Sequence, residues 1–195
     1  MGHKLPAPRR GTARRRRQTC DHAQHSGRPI QELTLRQPTS GEPVRRQVSR
    51  AGTVLIMTGA NDYVPAFAAG ASAARYRAIA RTVRHNVTTA VEAVHTLNPH
   101  AQVIVLDYWA AMEDGRVAER DYTTAERRRA RLATSSLDTA LRAAAHDGNA
   151  RFLSTYLAFN RAAADVTRPL AADGDHPDAA GTRIITDALD ALLPL

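Results

Sequence analysis

The sequence holds one cysteine, Cys20, in 195 residues. A single thiol cannot close an internal disulfide, so no disulfide framework is available to this chain. No run of 18 or more apolar residues occurs, which excludes a segment of the length a membrane-spanning helix needs. The first residues are basic but carry no apolar stretch behind them, so no secretory signal is visible. Compartment is left undetermined: cytoplasmic as written, exported if the true N-terminus lies upstream. Acidic residues are scarce at one end only. Residues 1–50 hold 12 Lys/Arg against 3 Asp/Glu, while residues 51–195 hold 15 against 16. The overall net charge of +8 therefore belongs to an N-terminal arm, and the rest is nearly neutral. That balance argues against a nucleic-acid-binding fold and for a basic tail on an ordinary domain.

Length predicts one domain, 29–195, preceded by an arm at 1–28. The arm is rich in Arg, Pro, Gly and His and has almost no large apolar residue, so disorder is expected there. Arg14 to Arg17 offer charge to phosphate or an anionic surface, although a solvated extension explains them as well. Cys20, His22 and His25 lack a fourth ligand and give no metal site; no cofactor is predicted. Residues 30–35 alternate apolar and polar side chains, as a short edge strand does. A loop at 36–41 and a short helix at 42–50 follow.

The central stretch is 53–63. Val54, Leu55, Ile56 and Met57 form an apolar run of strand length that stops abruptly at Gly59-Ala60-Asn61-Asp62. Such a run reads as a buried strand of a parallel sheet. Polar groups at its carboxyl end sit where open α/β sheets bind ligands; an Asx turn accounts for the same residues. After a loop at 65–70, apolar residues recur at steps of three and four over 72–97, which predicts a long amphipathic helix. A second buried strand at 102–106 ends at Asp107-Tyr108-Trp109. Thr123 and Glu126 form a capping box that opens a helix to about 146. Residues 151–154 make a short last strand. A loop then leads to Asp173-Gly174-Asp175-His176-Pro177, with Pro177 and Asp178 placed in the first turn of a final helix. Strands alternating with helices call for a parallel sheet covered on both faces.

Two clusters carry the chemistry. A histidine base needs an acid on one ring nitrogen to fix its tautomer, and Asp173 can supply that to His176 across a glycine turn. The Asn61 amide can donate hydrogens to an oxyanion. Gly59-x-Asn61-Asp62 and Asp173-x-x-His176-Pro177 resemble the third and fifth blocks of the SGNH, or GDSL, hydrolases, a family of esterases and lipases. Gly181 fits the small-residue helical turn that follows His-Pro in that family. The resemblance runs from about residue 30 to 195. It implies a three-layer α/β/α sandwich of flavodoxin-like type with a parallel sheet. It also implies His176 as general base, Asp173 as its orienter and Asn61 in the oxyanion hole, acting on a small-molecule or lipid ester through an acyl-enzyme.

The departures are equally specific. The family's first block, Gly-Asp-Ser at the end of the first strand, supplies the nucleophile, yet neither Gly-Asp-Ser nor Gly-x-Ser-x-Gly occurs here. Ser26 and Ser40 follow no apolar strand. Gly2 to Leu5 has some likeness to Gly-Asp-Ser-Leu, a coincidence or the scar of a shifted reading frame, with no strand in front of it. The second block's glycine has its counterpart in loop 36–41, with Gln37 at that position. A truncated or frame-shifted member, its first strand missing or replaced and its activity lost, is the expectation. Tyr63, Tyr108 and Trp109 follow strand ends and either line an acyl pocket or pack at its rim. Two further readings stand beside the hydrolase: a degenerate ligand-binding domain, and a protein whose basic arm meets nucleic acid or anionic lipid. Oligomeric state is not encoded in any motif found.

Overall fold

The computed structural model describes residues 42–162 and 164–193. Arm 1–28, strand 30–35, Ser26, Ser40 and Gln37 therefore lie outside the described residues. Among the described residues, three strands form one sheet in the order β1 (Thr53–Met57), β2 (Gln102–Leu106), β3 (Arg151–Leu153), all parallel. Thr53 pairs with Gln102 and Met57 with Leu106, then Ile104 with Arg151 and Leu106 with Leu153. Their carboxyl ends consequently share one edge.

β2 is apolar without alternation, and Val103 to Leu106 are all buried. A central strand covered on both faces requires that pattern. Val103 and Val105 join the larger core with Val54 and Ile56 of β1. Two long helices complete that core, α3 (Ala73–Leu97) and α5 (Thr124–Asp147). Tyr76, Val83, Val87, Val91 and Val94 of α3 meet Leu137, Leu141 and Ala144 of α5. Ser72 caps α3 by accepting from the Arg75 N–H. The Thr123–Glu126 capping box of α5 is formed in both directions. Phe159, Leu170 and Ala111 build a second core with Trp109, Ile184 and Ile185, drawing in α6 (Thr155–Ala162) and α7 (Ala179–Leu192). With Val103 to Leu106 of β2 buried on both faces and helices packed beside the parallel sheet, the expected layered α/β fold is present.

Several expected loops are helical. A short helix α1 (Glu42–Val48) precedes β1, as the spacing of Val44 and Val48 predicts. The stretch 65–70 does not form a loop from its start: α2 (Ala60–Ala68) runs through Pro65. Burial of Tyr63 and Ala66 outweighs the hydrogen bond that Pro65 cannot make, because Pro65 lies on the exposed side. α4 (Gly115–Asp121) fills the expected loop after Glu113 and is capped by Asp114. α6 occupies residues expected to be loop, fixed by buried Thr155 and Phe159. The final helix begins later than predicted. Asp178 is its N-cap, and Pro177 lies outside it in a bridge to Leu170. Among the described residues no helix is long and apolar enough to cross a membrane.

Candidate active site

The two motifs are each shaped by a glycine. Gly59 has φ 105° and forms the left-handed turn between β1 and α2. A methyl group there would also meet Leu137 and Val83 side chains at 3.0 Å. Only glycine enters this conformation without a Cβ penalty. The turn delivers Asn61, exposed, to the first turn of α2, with Asp62 beside it at the positive end of the helix. Gly174 has φ 72°, and a methyl group there would meet Val117 at 2.7 Å.

Around Gly174 the chain folds back on Asp173. Its Oδ1 accepts the backbone N–H groups of Asp175 and His176, each at 3.1 Å, and its Oδ2 lies 3.0 Å from His176 Nδ1. The two backbone donors are the main cause that holds the Asp173 carboxyl down to about 2, with the His176 ring adding to them. Ionised Asp173 is therefore a fixed acceptor for Nδ1–H, which leaves Nε2 to exchange a proton. Both side chains are solvent-accessible, His176 at 72% and Asp173 at 52%.

Tyr108 and Trp109 link the two motifs. The Tyr108 hydroxyl is pushed up to about 12, first by burial and then by the charges of Asp62 and Asp175, while a backbone hydrogen bond with Ala60 acts the other way. One hydroxyl thus senses the neighbour of Asn61 and the neighbour of His176. Trp109 Nε1–H donates to the Asp175 carbonyl at 2.7 Å and its ring stacks on Phe159 at 5.4 Å. Tyr63 is 5% exposed, stacks with Tyr76 at 5.9 Å and donates to Ser136 at 3.5 Å.

One serine does follow a strand. Ser154 follows β3, but its hydroxyl donates to Asp107 Oδ2 at 2.6 Å and accepts the Leu157 N–H at 3.2 Å. It caps α6. Asp107, 1% exposed, also accepts from Thr155 Oγ1 at 3.1 Å and from the Tyr156 N–H at 3.0 Å. This buried acid ties β2 to α6, and the sequence reading gave it no part. Its signal was present: an acid that ends a fully apolar strand needs partners, and Ser154-Thr155 follow the adjacent strand. Among the described residues no group of three or more His, Cys, Asp or Glu is placed to hold a metal ion.

The profile of the GDSL-like lipase/acylhydrolase family matches residues 6–184. The match begins well before residue 30 and so takes in most of the basic segment. No curated protein matches. Among solved structures, a phospholipase A1 from Streptomyces albidoflavus superposes with a TM-score of 0.61 at 17% identity, over 85% of this chain and 77% of that one. A variant of an acetyl-xylooligosaccharide esterase from Geobacillus stearothermophilus gives 0.59 at 21% identity, over 87% and 69%. An alpha/beta hydrolase enzyme from the metagenome of Lake Arreo, Spain, gives 0.54 at 18% identity, over 85% and 68%. At these identities the likeness is one of fold.

Proposed function

The chain belongs to the GDSL-like lipase/acylhydrolase family, and from that premise we propose that its site is built for carboxylic ester hydrolysis, with His176 as general base, Asp173 as its orienter and Asn61 as oxyanion donor. The reading rests on one observation, the 3.0 Å contact between Asp173 Oδ2 and His176 Nδ1. Held at Nδ1, the imidazole presents Nε2 to a hydroxyl or a water. The Asn61 amide, on the turn after β1, supplies hydrogens to the oxygen that gains charge as the carbonyl is attacked. The substrate class is an ester of a small molecule or lipid. The names of the structural neighbours, a phospholipase and a carbohydrate acetyl-esterase, support the ester bond as the common chemistry.

The nucleophile sets the second reading. The sequence has no Gly-Asp-Ser, and Ser154 is engaged as a cap. These facts favour a domain that keeps base and oxyanion donor but binds esters without an acyl-enzyme. A fluorophosphonate probe on the full chain, read by mass spectrometry alongside p-nitrophenyl ester turnover, separates the two. Labelling of a serine, lost in His176→Ala, supports the hydrolase. No labelling, with turnover equal in wild type and His176→Ala, leaves the non-catalytic domain.

A further inference from the structure

A cavity of 320 Å³ opens between α5, α6 and the loop before α4; it is lined by Glu113, Asp138, Arg131, Arg142 and Tyr156, with Thr134 among its hydroxyls. None of these residues takes part in the ester chemistry proposed above. Its floor is acidic and unfinished. Glu113 is only 2% exposed, it bonds the Tyr156 hydroxyl, and its Oε2 has no hydrogen-bond partner. Asp138 Oδ1 is likewise buried without a partner. Leaving a buried carboxylate oxygen unpaired costs its desolvation with nothing gained in return. Its mouth is basic. Arg131 and Arg142 are exposed, and neither forms an ion pair among the described residues. Arg142 is held in place with its guanidinium carbon 4.3 Å from the centre of the Phe152 ring.

Charge is thus sorted by depth, with acceptors at the floor and cationic donors at the rim. A bare metal ion fits poorly, since no third acid, His or Cys joins the pair in a metal-holding group among the described residues. A group with several N–H donors fits the two orphan oxygens, because each N–H satisfies one acceptor. An anionic group on the same ligand would meet the two guanidinium ions. We propose that this cavity binds a small zwitterion, its ammonium on Glu113 and Asp138 and its anionic group on Arg131 and Arg142. Burial, together with the charges of Asp107 and Glu113, pushes the Asp138 carboxyl up to about 7 against the pull of Arg142. A bound ammonium would relieve that crowding.

Titration calorimetry on the full chain tests the assignment. The probes are O-phosphoethanolamine and γ-aminobutyrate, whose anionic ends are a phosphate and a carboxylate, with ethanolamine and inorganic phosphate as the separate halves. At least one zwitterion is expected to bind about tenfold or more tighter than either half, the worth of one added charged hydrogen bond. Which of the two wins identifies the anion. Glu113→Gln keeps the cavity's shape and should weaken zwitterion binding about tenfold. Arg131→Gln, at an exposed position where folding is not at stake, should erase the preference over ethanolamine. Zwitterions no tighter than their halves, or affinity unchanged in both variants, would overturn the proposal.

Discussion

At the scale of single residues, the Asp173–His176 pair is organised by the main chain more than by mutual attraction. The two N–H groups that converge on Asp173 Oδ1 are its first cause of acidity, ahead of the imidazole. A carbon-13 titration of the His176→Ala variant should therefore still find the Asp173 carboxyl well below its ordinary 3.8. A return to the ordinary value would show that the ring, not the turn, holds it. The pH dependence follows in sign. A carboxyl whose folded value is depressed stabilises the fold fully above its ordinary value, and the contribution is lost as pH falls through about 2. Both motif residues were legible in the sequence because a carboxylate, a glycine and a histidine at fixed spacing can close only a few turns. Tyr108 was legible only as an aromatic near a strand end. Its tie to Ala60 depends on the helical start of α2, which the Asn-Asp pair disguised as a simple turn.

At the scale of elements, the long helices were legible and the short ones were not. α3 and α5 announce themselves through repeated apolar spacing and complete caps. α2, α4 and α6 are seven to nine residues long, too short for periodicity to rise above local turn signals such as Pro65 or Glu113-Asp114-Gly115. They are helical because tertiary contacts hold them. Two substitutions separate these sources of stability. Thr123→Ala removes a reciprocal cap at a solvent-facing end and should cost about 1 kcal/mol by urea denaturation, with the site intact. Phe159→Ala removes a fully buried ring from the smaller core and should cost about 3–5 kcal/mol. Because Trp109 rests on that ring, this variant should also loosen the turn that carries His176. An equal cost for the two would mean that the smaller core contributes little.

At the scale of the whole molecule, the sheet sets a gradient of protection. β2 is paired on both sides and buried on both faces, whereas β1 leaves Leu55 49% exposed. Hydrogen exchange followed by mass spectrometry should find the slowest amides in 103–106 and distinctly faster exchange in 53–57. Equal protection of the two strands would contradict this order. The three-layer arrangement was legible because apolar runs alternate with amphipathic helices. The zwitterion cavity was not, since Glu113, Asp138 and Tyr156 lie far apart in sequence and carry no shared motif. One contact from the site has a practical consequence. Trp109 is the single tryptophan of the chain, and its indole N–H is bonded to the residue before His176. The protein's intrinsic fluorescence is therefore a one-position optical probe of the histidine turn. Its emission wavelength will register any ligand, substitution or change of acidity that frees the Asp175 carbonyl, without a label being attached.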